Sequence, residues 1–349
     1  MNLEQLESNA KAMATKGKGL LAADESTGTI KKRLDTINTE STELNRRKYR
    51  DMLFTAKGME DFISGVIMYD ETIRQSTIND EIPFSKLLSD LGVLPGIKVD
   101  MGAKPLSCFD GEFITEGLDG LRERLAEYYS LGARFAKWRA VITISDKTPT
   151  FASIDANAHA LARYSSLCQE ANIVPIVEPE ILMNGEHSID TSFDVTTEVL
   201  DSVFDALSNL DVYLEGMILK PNMVLSGYDS KDQASVEEVA DATVTCFQRT
   251  VPAAVPGIMF LSGGQSDLLA TEHLDAMNKL DTVKPWELSF SYGRALQTAA
   301  LDAWSGKDEN LEAGKEAFLH RAKCNSAAAK GEYSRRCNRS KQLKAFQVP

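Results

Sequence analysis

The sequence predicts the α/β class and, within it, a single (β/α)8 (TIM) barrel with an N-terminal helix and a C-terminal helix plus tail. Three observations carry this expectation. Strand-like segments alternate with amphipathic helical ones along the whole chain. The strand-like segments number eight and recur at spacings of roughly 30–45 residues, the rhythm of a barrel. No low-complexity linker interrupts the alternation. A doubly wound sheet is the rival, but it usually needs fewer units. The 349 residues, 43% hydrophobic and 26% charged, are ordinary globular material with room for one large core.

The first element, residues 2–16, reads as a helix with Leu3, Leu6, Ala10 and Met13 on one face. The segment 18–26 follows as a short buried strand that ends in Asp24, Glu25 and Ser26. Further strands are expected at 62–70, 94–101, 134–142, 173–182, 215–224, 257–264 and 286–293. Amphipathic helices fall between them, among them 117–131, 154–172, 192–210, 235–250 and 266–280. Ser153-Ile154-Asp155 and Ser235-Val236-Glu237-Glu238 read as caps. The last barrel helix is 294–304 and a further helix spans 310–330. The barrel with its flanking helices is expected to occupy 1–334. A basic tail, 335–349, carries Arg335, Arg336, Arg339, Lys341 and Lys344.

Alternate residues of a barrel strand point inward, and functional groups collect at the C-terminal strand ends. That parity aligns Leu20, Ala22, Asp24 and Ser26 on the first strand, and Lys98 with Asp100 on the third. It aligns Phe135, Lys137, Arg139 and Val141 on the fourth, leaving Trp138 for the other side. On the fifth it aligns Val174, Ile176, Glu178 and Glu180, and on the sixth Gly216, Ile218 and Lys220. Strand starts are apolar and strand ends are charged. So many charges in one interior need a purpose, because an isolated buried ion costs several kcal/mol.

The apolar run 216–219 leads straight into Lys220, and Pro221 stops it. An amine desolvated at a strand end loses its proton more readily, and a neutral lysine forms a Schiff base with a carbonyl. A lysine snorkelling to the surface gives the same local pattern, so the neighbours must decide. Lys137 is a second cation that would depress the Lys220 pKa by like-charge repulsion. Glu178 and Glu180, on one face, form a pair whose mutual repulsion could split an acid from a base. Asp24 is a third carboxylate. Ser262-Gly263-Gly264 ahead of a helix offers a hydroxyl and open backbone N–H groups, which suits a phosphate; Arg294 at the start of the next helix suits the same anion. Ser26, Thr29, Arg33, Lys98 and Arg139 are candidates for a second phosphate across the mouth. A lysine amine, acids and a base, and two anion sites point to carbon–carbon bond chemistry on a bisphosphorylated ketose. A Schiff base is its own electron sink, so neither metal nor cofactor is expected.

Composition narrows the partners. A net charge of −13 argues against nucleic-acid or anionic-membrane binding by the body of the protein. No apolar run approaches the roughly 20 residues of a membrane span, and the polar N-terminus is not a secretory signal. Five scattered cysteines with no CxxC pair read as thiols in a reducing, cytoplasmic compartment. Four dispersed histidines give no zinc pattern.

Seven motifs carry a family resemblance: Leu21-Ala22-Ala23-Asp24-Glu25-Ser26-Thr27-Gly28, Gly96-Ile97-Lys98-Val99-Asp100, Phe135-Ala136-Lys137-Trp138-Arg139, VPIVEPEI at 174–181, LKPNMV at 219–224, FLSGGQS at 260–266 and FSYGRAL at 290–296. In order and over nearly the whole chain, to about Tyr333, the sequence resembles class I fructose-bisphosphate aldolase. The resemblance implies a (β/α)8 fold, often a homotetramer, and cleavage of fructose 1,6-bisphosphate to dihydroxyacetone phosphate and glyceraldehyde 3-phosphate. It implies that Lys220 forms the Schiff base with C2 and that Glu178, with Glu180 beside it, is the acid/base. Asp24 and Lys137 resemble the groups that hold the C3 and C4 hydroxyls. Ser262, Gly263, Gly293 and Arg294 resemble the C1-phosphate site; Ser26, Thr29, Lys98 and Arg139 resemble the C6-phosphate side. Two departures stand out. Many relatives end in a tyrosine that moves the enamine proton, whereas this sequence ends Phe346-Gln347-Val348-Pro349. Met101 replaces a lysine common in the family. A preference for sedoheptulose 1,7-bisphosphate, or an idle sugar-phosphate-binding scaffold, are the alternative functions; the intact Lys220, Glu178, Lys137 and Asp24 set argues against the second.

Overall fold

The computed structural model describes residues 1–339. Its strands, in chain order, are β1 (Gly19–Ala23), β2 (Ile63–Met68), β3 (Leu94–Lys98), β4 (Ala103–Pro105), β5 (Phe113–Thr115), β6 (Phe135–Ile142), β7 (Val174–Ile181), β8 (Ile218–Leu219), β9 (Gly257–Phe260) and β10 (Glu287–Tyr292). All but β4 and β5 close a parallel barrel in which β1 pairs with both β2 and β10. The eight expected barrel strands are these eight, shortened at their ends.

Helices cover the outside: α1 (Leu3–Met13), α2 (Thr27–Asp35), α3 (Glu43–Phe54), α4 (Asp70–Ile73), α5 (Phe84–Asp90), α6 (Leu121–Ser130), α7 (Phe151–Glu170), α8 (Ile189–Asn209), α9 (Val236–Thr250), α10 (Asp267–Lys279), α11 (Arg294–Trp304) and α12 (Leu311–Ala328). The Ser235 cap forms as expected, a reciprocal box in which Glu238 reaches back to the Ser235 N–H. The Ser153 cap does not. Helix α7 starts three residues earlier, at Phe151; Thr150 is the cap, and Ser153 N–H donates to its Oγ1. The threonine is one position outside the first apolar residue of the helix, where a cap belongs.

The barrel interior is layered. Leu20, Ile67, Phe135, Ile176, Ile218 and Met259 fill the lower half, and Leu6, Ala10 and Met13 of α1 plug it from below. Gly96 makes room for this packing: a Cβ there would lie 2.2 Å from the Phe135 ring. The rest of the core lies between strands and helices, with Trp138 facing outward against Tyr164, ring centroids 5.5 Å apart. With the lower half filled by hydrocarbon, the inward polar side chains can only gather at the upper ends.

Two features differ from expectation. Between β3 and α6 the chain makes an antiparallel hairpin, β4–β5. Asp110-Gly111 is a turn signal within its loop, and the flanking strands, three residues each, are too short for an alternating pattern to mark them. The sixth strand, expected over 215–224, is reduced to Ile218–Leu219. Lys220 N–H still donates to Val177 C=O at 2.8 Å, but Pro221 has no N–H to continue the ladder. Asn222 substitutes with its side chain, accepting from Ile181 N–H at 3.0 Å. Of the tail, Arg335 pairs with Glu272 at 2.6 Å; Lys341, Lys344 and Phe346 lie outside the described residues.

Candidate active site

Every site residue expected from the sequence, Gly264 excepted, lines one cavity of about 270 Å³ at the C-terminal ends of the strands. Gly264 lies just behind, where a Cβ would stand 3.2 Å from the Arg294 guanidinium. Within the cavity the charges form a definite pattern of pairs.

At its floor, Lys220, Glu178 and Lys137 are each at most 5% exposed. Lys220 Nζ lies 3.1 Å from Glu178 Oε1, and Lys137 Nζ lies 3.2 Å from Glu178 Oε2 and 2.8 Å from Asp24 Oδ2. Glu178 is therefore interposed between the two amines, one oxygen to each. This corrects the expectation that Lys137 acts on Lys220 as a bare repulsive charge. Burial works to discharge Lys137, but Asp24, Glu178 and Asp100 outweigh it and raise its pKa above the usual lysine value. Lys137 is a standing cation. Burial likewise works to protonate Glu178, and the charges of Lys137, Lys220 and Arg139 overcome it, holding the carboxyl below the usual range. An ionised carboxylate at hydrogen-bond distance from the Lys220 amine is placed to take its proton.

Glu180 also departs from expectation. It forms a close ion pair with Arg139 Nε. The register explains this: Glu178 lies opposite Arg139 across the β6–β7 ladder and Glu180 one pleat further up, toward the mouth. Glu178 is thus held by Lys220 and Lys137, and Glu180 by Arg139.

Asp24 is buried beside Lys137. Burial pushes its pKa up, but Lys137, Lys220 and Lys98 together bring it down from 3.8 to about 2. A carboxyl depressed by folding contributes stability above its unfolded pKa and loses it as pH falls through the folded one. Asp24→Asn is therefore expected to remove about 2 kcal/mol of the acid-sensitive stability that the parent loses between about pH 4 and pH 2. Chemical denaturation across that range checks it; parallel curves for the two proteins would show that Asp24 carries no such linkage.

The mouth has two unlike edges. On one, Lys98 Nζ is held by Asp100 Oδ1 at 2.9 Å, and Ser26 Oγ and Thr29 Oγ1 lie 3.2 Å apart. On the other, the Ser262–Gly264 turn follows β9, with Gly263 at φ +59° and Gly264 at φ +100°, backbone that favours glycine. The Gly263 and Gly264 N–H groups have no protein acceptor among the described residues. Arg294, first residue of α11, is also without a carboxylate in ion-pair range among them; burial and the nearby Arg33 charge lower its pKa. An edge with open N–H groups, a helix N-terminus and an uncompensated guanidinium can hold an anion.

Some residues of the site escaped the sequence reading. Ser291, on β10, turns a buried and unpartnered hydroxyl into the cavity. Behind β1, Arg50 of α3 pairs with Glu25 at 2.8 Å, and Gln297 Nε2 donates to Ala22 C=O at 2.6 Å and Glu25 Oε1 at 3.1 Å. This brace secures the strand end that carries Asp24. Inward parity on β10 points to Ser291; no local pattern joins Arg50 or Gln297 to Glu25.

A barrel with a buried amine held against a carboxylate below a turn of open N–H groups defines a class, the lysine-dependent aldolases. Comparison with known proteins is more specific. The family model described as glycolytic, fructose-bisphosphate aldolase class I, matches residues 5–348. A probable fructose-bisphosphate aldolase class 1 of Xylella fastidiosa is 55% identical over 334 residues, covering 95% of this chain and 99% of the relative. The cytoplasmic isozyme of fructose-bisphosphate aldolase from Spinacia oleracea is 54% identical, covering 95% and 92%. Among solved structures, fructose-bisphosphate aldolase of Plasmodium falciparum, in a complex with TRAP and a small-molecule inhibitor, matches with a TM-score of 0.93 and 50% identity over 95% of each chain. The chain belongs to the class I fructose-bisphosphate aldolase family. Its function is that of the family: cleavage of a sugar bisphosphate through a lysine Schiff base, a glycolytic reaction. No helix among the described residues is long and apolar enough to cross a membrane.

Proposed function

We propose that Lys220 is the Schiff-base lysine and that the groups around it divide the work of cleaving fructose 1,6-bisphosphate. The observation that carries this is the 3.1 Å contact between Lys220 Nζ and Glu178 Oε1 in a buried site. Glu178 takes the ammonium proton, and the free amine attacks the C2 carbonyl. Glu178 then protonates the carbinolamine oxygen, which leaves as water. The resulting iminium withdraws electrons as the C3–C4 bond breaks, and a carboxylate, Glu178, accepts the C4 hydroxyl proton. Glyceraldehyde 3-phosphate departs; the enamine is protonated at C3 and hydrolysed to dihydroxyacetone phosphate. Asp24 and Lys137 hold the C3 and C4 hydroxyls. Glu180 acts beside Glu178 by keeping Arg139 in place. The C1 phosphate sits on Ser262, Gly263, Gly264, Gly293 and Arg294, and the C6 phosphate on the side of Ser26, Thr29, Lys98 and Arg139, with Arg33 at the mouth between them. The test is borohydride reduction in the presence of dihydroxyacetone phosphate, with peptide mapping: the adduct belongs on Lys220, and one on Lys98 or Lys137 would reassign the nucleophile.

For the C1 phosphate, Arg294→Ala is expected to raise KM for fructose 1,6-bisphosphate about 10- to 150-fold through a lost charge-assisted contact of about 1.5–3 kcal/mol. A substrate without that phosphate should feel little of it; an equal loss on both would place Arg294 elsewhere. Relatives named cytoplasmic and cytosolic support a cytoplasmic protein. The family likeness supports a homotetramer, tested by sedimentation, with 1–334 as the catalytic body and 335–349 as a separate basic tail.

A further inference from the structure

Behind the Ser262–Gly264 turn lies a histidine that this chemistry does not use. His273 of α10 is buried, and its Nδ1 is 2.6 Å from Oε1 of Gln265, which is buried too. Burial lowers the imidazole pKa to about 4, so the ring is neutral near pH 7. A carboxamide oxygen needs a donor, which makes Nδ1–H the donor here. The other end of Gln265 then faces the turn. Its Nε2 donates to Ser262 C=O at 3.2 Å, and its backbone N–H donates to the same oxygen at 3.0 Å.

The C=O and N–H of a trans peptide point to opposite sides. With the Ser262 carbonyl drawn back toward Gln265, the Gly263 N–H is turned the other way, and both residues line the cavity. A carbonyl turned to the cavity instead would repel a phosphate.

We propose that His273 and Gln265 are positioning residues for the phosphate turn, holding the Ser262 carbonyl back so that the Gly263 N–H is presented to the C1 phosphate. This rests on reading the turn as the C1-phosphate site. His273 orients Gln265, and Gln265 orients the peptide; neither touches substrate.

The experiment runs the enzyme in the condensation direction and varies dihydroxyacetone phosphate and glyceraldehyde 3-phosphate separately. Gln265→Glu is nearly isosteric; as a carboxylate it still accepts from His273 but has no proton for Ser262 C=O. In this variant and in His273→Leu, KM for dihydroxyacetone phosphate should rise about tenfold, with KM for glyceraldehyde 3-phosphate and kcat within about threefold of the parent. The double variant should be no worse than Gln265→Glu alone, because both act through one peptide. Arg294→Ala is measured alongside. If it shows the dihydroxyacetone phosphate effect and the Gln265 variant does not, the positioning role is wrong while the phosphate site stands. If neither shows it, the phosphate reading itself falls. An even loss in both KM values and kcat, with a lowered Tm, would reduce the pair to core packing and overturn the proposal.

Discussion

Lys220→Met is expected to lower the rate of fructose 1,6-bisphosphate cleavage by roughly 10⁴-fold or more, the scale for losing a covalent nucleophile and about 5.5 kcal/mol of barrier. The fold should tolerate the change. Methionine fills a similar volume, and Glu178 is not left as an unpaired buried charge, since Lys137 remains 3.2 Å from its other oxygen. The loss should therefore appear in kcat with Tm little altered, and borohydride with dihydroxyacetone phosphate should leave no adduct. A variant retaining more than about a hundredth of the parent rate would show that another amine does the chemistry.

Glu178→Gln should be the next most damaging change, about 10²- to 10⁴-fold in kcat, the usual worth of a positioned acid/base. Two losses coincide. The carboxamide cannot accept the Lys220 or C4 hydroxyl proton. It also removes the negative charge between Lys220 and Lys137, so two buried ammonium groups face each other with only Asp24 on the Lys137 side. Adduct formation and cleavage should both slow, unlike the KM effects expected at the phosphate turn. Single-turnover measurements of each step check this. Normal adduct formation with slow cleavage would confine Glu178 to the C4 proton and require another acceptor for the Lys220 proton.

Much of this site was legible because strand alternation is a local property. Leu20, Ala22 and Asp24 share a face whatever the rest of the chain does, as do Lys137 with Arg139 and Glu178 with Glu180. Once eight such segments were recognised, closure into a barrel put their charged ends in one place. The pairing of those charges was another matter. Parity cannot say that Arg139 reaches past Glu178 to Glu180, that Asp100 holds Lys98, or that Glu178 lies between two lysines. Those facts depend on the register and tilt of neighbouring strands, which no single segment encodes.

The sequence by itself determined the barrel, the inward residues of each strand, the glycine turn after β9 and the lysine at a strand end, because each follows from backbone geometry over a few residues. Tertiary structure alone decided the electrostatics. It made Lys137 a fixed cation and Asp24 a strong acid, clamped Glu25 between Arg50 and Gln297, and set His273 and Gln265 behind Ser262. Coulomb and hydrogen-bond energies depend on distances of a few ångströms between groups up to hundreds of residues apart in sequence, and only folding sets those distances.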